Sequence, residues 1–322
     1  MIIVDELPFR FVERLGFNRL MNVACPRFKM PSRSTVTRDY YQLYLDERLK
    51  LRAFLYDHSQ RISLTIDSWT SLQRINYMCS TCHWIDDEWK LNKRILSFIP
   101  VSSHRGEYIF KPLENCLLEW GLKNVFTITV DNASSNDTVV LNFKRKLLSW
   151  GTALGKGEYL HMRCITHVLN LVVNDGLKDI NDSVKKVRAS VRHIRNSPGR
   201  IKKIKELAAL VDIESTKSLT LDVPTRWNST YLMLKIAIIY EAAFEKYDEE
   251  ESSFRVELGD SIPKFDDWLV VKKFTSCLEH FYLTTLRISG SLYVTTNMHF
   301  QEICDLNVLL KDMISNDDLE VQ

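Results

Sequence analysis

Along the first half of the chain, apolar and polar positions alternate with period two in several short stretches; along the second half they settle into a helical period. The clearest alternation runs from Ser63 to Ser71, where Leu64 and Ile66 point to one face and Thr65, Asp67 and Trp69 to the other. A second stretch, Val125 to Asp131, repeats the plan, with Phe126, Ile128 and Val130 on one face and Thr127, Thr129 and Asp131 on the other. Each strand thus carries a carboxylate near its C-terminal end, on its threonine-bearing face. Asn76 to Ile85 and Trp89 to Ile99 read as two further strands joined by the acidic turn Asp86-Asp87-Glu88, which makes the first three strands an antiparallel meander. A short strand is expected over Tyr159 to Ile165.

Helical stretches separate these strands. Thr35 to His58 is rich in helix formers. A helix beginning near Pro112 puts Leu113, Cys116, Leu117 and Trp120 on one face and stops at Gly121. Another, near Asp137 to Trp150, turns Val140, Phe143 and Leu147 inward, and a third runs from about Thr166 to Gly176. The resulting order, β-β-β-α-β-α-β, is that of an α/β ribonuclease H-like core with a mixed sheet. Beyond it the pattern is helical: Val184, Val187, Val191 and Ile194 form one stripe that ends at Ser197-Pro198-Gly199, and Ile201, Ile204, Leu207 and Val211 begin another. Further helices fit Thr230–Tyr247, Asp267–Leu286 and Asn297–Ile314. The expected organisation is a helical lead over 1–60, the ribonuclease H-like core over 61–174, and a mainly helical insertion region over 175–322.

Composition changes this picture little. The 322 residues are 45% hydrophobic and 26% charged, ordinary for a globular chain with a buried core. A net charge of +2 gives no general argument for nucleic acid, so that case rests on local clustering. Met1-Ile2-Ile3-Val4-Asp5 lacks the basic start of a secretory signal, no apolar run is long enough for a membrane span, and the seven scattered cysteines are expected to be reduced thiols.

Four groups of residues carry candidate chemistry. Asp67 and Asp131, on adjacent strands, are the carboxylates that a divalent-metal site for phosphodiester chemistry needs, Mg²⁺ or Mn²⁺ being the cofactor if the site is functional; such a site ordinarily takes a third carboxylate. The same aspartates also suit loop capping, and D-N-A-S-S-N is good turn sequence. Cys79-x-x-Cys82 and Cys164-x-x-His167 have metal-like spacings, but an offset of three inside a strand sends Cys79 and Cys82 to opposite faces. Residues 185–205 hold nine cations and no acid: Lys185, Lys186, Arg188, Arg192, Arg195, Arg200, Lys202, Lys203 and Lys205. With the valines inward, these form an outward basic ridge suited to a phosphate backbone, or a solvated face balanced by the acidic run Glu245–Glu251. Arg226-Trp227 precedes a helix with Ser229 as a candidate N-cap; the pair suits phosphate holding and base stacking, and the Trp equally suits a core. No glycine-rich nucleotide loop is present.

Together and in this order, these blocks resemble the hAT-type (hobo/Activator/Tam3) DNA transposases, and within them the transposase-derived plant sleeper proteins. I-V-D-E-L-P-F-R-F-V-E-R-L-G-F and P-S-R-S-T-V look like the segments that follow the family's N-terminal BED zinc finger. T-I-D-S-W-T-S and T-V-D-N-A-S-S-N match the blocks that hold its first two catalytic aspartates, which implies Asp67 and Asp131. R-C-I-T-H-V-L-N-L matches its C-x-x-H block and implies that Cys164 and His167 lie near the active site. T-R-W-N-S-T matches the tryptophan block and implies Trp227 as the residue associated with a flipped base. S-G-S-L-Y-V-T-T-N looks like the Y-P-T-x-N segment, with Val294 at the usual proline. The family's third carboxylate, in an S-x-x-E-R-x-F-S block that belongs to its dimerisation region, has no counterpart here, and neither does the BED finger; Glu279 and Glu302 lie outside any matching block. The resemblance implies a nuclear, transposase-derived protein that binds double-stranded DNA without cutting it, with homodimerisation possible although its usual region is absent. The alternatives are an incomplete metal-dependent transposase, and a protein-interaction scaffold that has lost DNA binding.

Overall fold

The computed structural model describes residues 1–57, 61–215, 217–290, 293 and 295–315. The chain divides into two compact units, residues 1–162 and 163–322. The boundary anticipated after residue 174 falls inside a helix of the second unit.

The first unit is built on five strands: β1 (Ile62–Thr70), β2 (Asn76–Ile85), β3 (Leu91–Val101), β4 (Val125–Val130) and β5 (His161–Arg163). They lie in the order β3-β2-β1-β4-β5, with β1 antiparallel to β2 and parallel to β4. This is the mixed sheet that the pattern of alternation predicts. Ile62, Leu64 and Ile66 are buried on one face of β1, whereas Asp67 is exposed on the other. On β4 the expected assignment fails at one residue: Val125 is buried and Phe126 is 40% exposed. The cause is a bulge. Ile62 pairs with Val125 but Ser63 pairs with Thr127, so Phe126 is the extra residue and is turned outward.

Before the sheet come α1 (Leu15–Ala24) and α2 (Arg33–Asp57); within it are α3 (Gly106–Trp120) and α4 (Ser134–Trp150). Leu55 of α2, Leu113 and Leu117 of α3, and Val139, Phe143 and Leu147 of α4 join the buried strand residues in one cluster, so these helices cover the same sheet face. α3 begins six residues before Pro112, the position read as its start, and Pro112 lies inside it. Gly106 explains the earlier start. A Cβ there would meet the Ser135 carbonyl and the Thr138 side chain at 2.6 Å, so only glycine allows α3 to start against the first turn of α4. Lys111 and Lys146 both grip the buried Glu114 carboxylate, at 3.0 and 2.7 Å, and hold the two helices together. As predicted, α3 ends at Gly121, in the left-handed conformation (φ 73°).

The second unit is helical: α5 (Ile165–Asp179), α6 (Asn181–Arg195), α7 (Pro198–Leu210), α8 (Trp227–Ile239), α9 (Glu241–Glu250), α10 (Ser252–Leu258), α11 (Phe265–Ile288) and α12 (Thr296–Ser315). The single helix expected over Thr230–Tyr247 is two, broken at Tyr240, whose hydroxyl donates to the Lys217 carbonyl at 2.7 Å. Val184, Val187, Val191, Ile194, Ile204 and Leu207 form the predicted stripe and pack with Leu234, Phe244 and Trp268. Charged groups are built into this packing. Arg188 makes a bidentate pair with Asp222, at 2.9 and 2.8 Å, and Thr230 donates to the same carboxylate at 2.8 Å; the Asp222 side chain is 1% exposed. Lys186 and Ser183 hold Asp267 at the start of α11 in the same way, at 2.9 and 2.8 Å.

Phe143→Ala, which empties a fully buried site in the first unit, is expected to cost about 3–5 kcal/mol in urea unfolding followed by circular dichroism. Arg188→Ala strands a buried carboxylate and is expected to cost a similar ~3–5 kcal/mol, most of it recovered when Asp222 is replaced by leucine as well. The pH dependence has a definite sign. Burial pushes the Asp222 carboxyl up, but Arg188 and Thr230 outweigh it and hold the group below the ordinary 3.8. Its contribution is therefore complete above that value and lost as the pH falls below it; acid unfolding of Asp222→Asn should lack that step.

Candidate metal and nucleic-acid site

The two sequence-predicted aspartates come together because β1 and β4 run parallel. Leu64 pairs with Ile128 and Thr65 with Thr129; continuing that register by two residues sets Asp67 level with Asp131, the first residue after β4. Neighbouring strands lie about 4.8 Å apart, so the two carboxylates share one sheet face at the C-terminal ends of adjacent strands. The face leading to them is polar. Thr127 donates to the Ser63 hydroxyl at 2.9 Å, and Thr65 lies 3.0 Å from His83 Nε2. Burial, and then Lys93, hold His83 below the ordinary imidazole value.

Asp131 is held in place. Its Oδ1 accepts the Ala133 N–H at 2.9 Å and the Asn136 side-chain amide at 2.5 Å, and Asn136 is itself buried in the first turn of α4. This is the loop-capping role that the turn sequence suggests, and it leaves Oδ2 with no hydrogen bond among the described residues. The Asp67 side chain has neither hydrogen bond nor ion pair among the described residues. Hard oxygen donors in this arrangement fit a divalent cation of the Mg²⁺ type as two of its ligands. Among the described residues no group of three or more His, Cys, Asp and Glu side chains forms a metal cage. Glu279 and Glu302 are engaged within the second unit: Glu279 by Lys235 at 2.5 Å, Glu302 by Arg287 and by Thr284 at 2.9 Å.

Cys164 and His167 lie in the second unit, at the N-terminal end of α5. Cys164 is not in a strand, as the alternation suggests; β5 ends at Arg163 and Cys164 caps the helix, its carbonyl accepting the His167 N–H at 3.1 Å and its Sγ 3.1 Å from the Thr166 hydroxyl. Cys79 and Cys82 fall on opposite faces of β2. Burial, and then Cys116, push the Cys82 thiol up to about 12, which opposes the thiolate that zinc requires.

The nine cations do not form one outward ridge. Arg188 and Lys186 point inward to Asp222 and Asp267. Arg200 pairs with Glu257 and also donates to the His193 carbonyl at 3.2 Å; Lys203 pairs with Glu250 at 2.6 Å, and Arg195 donates to the Leu219 carbonyl at 2.7 Å. Lys185 contacts Asp182 at 3.1 Å, and Lys202 lies 3.8 Å from Glu206 with 81% of its side chain exposed. Arg192 and Lys205 are exposed and have no partner among the described residues. The acidic run supplies one partner, Glu250; Asp222, Glu257 and Asp267 come from elsewhere in the sequence, which is why spacing within 185–205 could not reveal them.

Arg226 is exposed at the start of α8, and Trp227 is its first residue. Trp227 is 4% exposed and packs with Leu169, Val173 and Tyr231, so in this structure its ring is core and not a free stacking surface. Ser229 is not the N-cap; Arg226 is. The Ser229 hydroxyl instead ties the preceding turn, accepting the Val223 N–H at 2.8 Å and lying 2.7 Å from the Arg226 carbonyl. Val294 lies outside the described residues. One contact that spacing missed is His104, which bridges Ser68 and Thr70 of β1 at 3.2 and 2.9 Å; a histidine in a loop S-S-H-R carries no periodic signal.

Known proteins place these features in context. The ZBED1 RNase-like domain model matches residues 65–159, and the ZBED1 RNase-like helical domain model matches residues 162–277. The chain is 35% identical over 313 residues to a putative AC transposase of Zea mays, covering 96% of this chain and 38% of the relative. It is 32% identical over 321 residues to the zinc finger BED domain-containing protein RICESLEEPER 2 of Oryza sativa, covering 99% and 44%. With DAYSLEEPER of Arabidopsis thaliana the identity is 31% over 303 residues, covering 93% and 43%. The chain thus spans about two fifths of the length of these curated relatives. No described helix is long and apolar enough to cross a membrane. With a ribonuclease H-like sheet, a helical unit after it and these relatives along nearly its whole length, the chain belongs to the hAT-type transposases and their RICESLEEPER- and DAYSLEEPER-like kin.

Proposed function

We propose that this chain is a transposase-derived protein that binds double-stranded DNA in the nucleus, and that its ribonuclease H-like unit holds a divalent metal ion on Asp67 and Asp131 without cutting DNA in these 322 residues. The observation that carries the reading is the parallel register that sets the two aspartates side by side, one of them fixed by Asn136. When bound, Mg²⁺ or Mn²⁺ would supply charge stabilisation to the oxygens of a phosphodiester. Asp131 would hold it through its second oxygen, which makes no hydrogen bond among the described residues, and Asp67 would be the other ligand. The non-cutting part of the proposal draws support from Glu279 and Glu302, both already neutralised by cations of their own unit. The competing reading, a working metal-dependent transposase core, draws on the name of the maize relative.

DNA binding is narrower than the count of nine cations suggests. Of the candidate cations in 185–205 and at Arg226, the exposed Arg192, Lys202, Lys205 and Arg226 are the ones least engaged by the fold; Lys186, Arg188, Arg195, Arg200 and Lys203 serve the fold wholly or in part.

Duplex affinity measured across a salt series should fall steeply, and the triple change Arg192→Ala, Lys202→Ala, Lys205→Ala should flatten the log–log slope by about 0.9 for each phosphate left without its cation. A salt-insensitive affinity, or none, would favour the interaction scaffold. Separately, Mn²⁺ binding followed by electron paramagnetic resonance should be lost in Asp67→Asn and in Asp131→Asn. Duplex nicking by the unaltered chain that disappears in Asp67→Ala would establish the working transposase core instead.

A further inference from the structure

The sheet face that bears Asp67 also bears an aromatic stack that the metal reading does not use. Trp69 of β1 pairs directly with Tyr77 of β2, and Tyr77 with Pro100 of β3; one row back, Asp67 pairs with Cys79 and Cys79 with Phe98. Direct cross-strand partners share a face, so Asp131, Asp67, Cys79 and Phe98 form one row across four strands, and Trp69, Tyr77 and Pro100 lie in the next. The three rings are in mutual contact. Trp69 and Tyr77 stack at 5.9 Å between centroids and 27° between planes, Tyr77 and Phe98 at 5.3 Å and 26°, and Trp69 and Phe98 lie 5.5 Å apart. They are not core: Phe98 is 56% exposed and Trp69 36%.

Resting on the DNA-binding reading above, we propose that Trp69, Tyr77 and Phe98 form a platform on which unpaired DNA bases stack, running from the carboxylate pair across β2 to β3. Four features point to this occupant. The rings begin two residues from Asp67 on its own face, and with strands about 4.8 Å apart Phe98 lies roughly 10 Å from it, within reach of the nucleotides flanking a phosphate at the aspartates. Stacking needs flat, exposed π faces, which every base can use whatever its identity. Lys93, exposed on β3 and on the same face through its pairing with His83, supplies a cation for the strand's backbone. Finally, Trp227, the ring that the family resemblance would assign to a base, is buried in the second unit, whereas this stack is open.

The test compares affinities of the full chain for a labelled oligo-dT strand and for a labelled duplex of the same length, by fluorescence anisotropy in EDTA so that no strand is cut. Phe98→Leu keeps an apolar strand residue but removes the π face, and Tyr77→Ala removes its neighbour; each is expected to weaken oligo-dT binding about tenfold and to change duplex binding by less than about twofold, while Phe98→Trp restores the first. Circular dichroism of the variants should match the unaltered chain. Wild-type affinity for oligo-dT in both variants, or equal losses on both DNA forms, would overturn the platform and leave duplex binding standing. Failure of the unaltered chain to bind either DNA would remove the platform together with the reading it rests on.

Discussion

Everything at the candidate site depends on the parallel pairing of β1 with β4. β1 is the central strand, antiparallel to β2 on one side and parallel to β4 on the other. Side chains alternate with period two, so a slip of one residue between β1 and β4 would drive Asp67 or Asp131 toward Leu113 and Phe143 and bring an isoleucine or valine to the polar face. The cost of burying an unpaired carboxylate, together with the lost burial of Leu64 and Ile128, makes that slip prohibitive. The hydrophobic core therefore enforces the pairing that brings the two carboxylates together. The bulge at Phe126 is the accommodation: it absorbs one residue upstream so that Thr127, Thr129 and Asp131 keep their face.

In the helical unit the organising interaction is of another kind. Arg188–Asp222 and Lys186–Asp267 bind α6 to distant segments through carboxylates held below their ordinary values against the penalty of burial. Such pairs rarely add net stability over apolar residues of the same size, but breaking one partner is severe, so they select one arrangement of the segments over others. Asp222 is well placed for that selection. It joins α6 through Arg188 and α8 through Thr230, and so positions the segment that ends in Arg226 and Trp227.

How far the sequence alone could reach follows from these two kinds of interaction. Alternation of Leu64, Ile66, Ile128 and Val130 against Thr65, Asp67, Thr129 and Asp131 was legible because a one-sided core writes itself into period two. Gly121 as a helix stop was legible for a local reason, the positive φ. What was not legible depended on partners far away. Pro112 looked like a helix start because nothing nearby reveals that Gly106 meets Ser135. The cations of 185–205 looked like one outward ridge because Asp222, Glu257 and Asp267 lie outside the segment. Phe126 looked buried because a bulge leaves no mark in apolar spacing. Trp227 was ambiguous for a physical reason: a tryptophan serves a core and a stacking surface with the same atoms, and only its neighbours Leu169, Val173 and Tyr231 decide.

The polar sheet face gains its meaning from what stability does not require of it. α2, α3 and α4 bury the opposite face, where the main core of the first unit lies. A face relieved of that task would ordinarily carry scattered solvated side chains. Here it carries Ser63 bonded to Thr127, Thr65 against His83, a carboxylate held by Asn136, a second carboxylate beside it, and three rings in contact. Each of these orders side chains at an entropic cost, and exposed rings lower solubility without adding to the core. Hydrogen-bonded threonines and stacked rings do stabilise strand pairing by some tenths of a kcal/mol each, but that gain is available anywhere on the face. It does not account for the three rings standing beside the two aspartates, toward the C-terminal end of β1. The proposed surface, with a phosphate held through a metal ion and its bases on the π faces, would account for that placement.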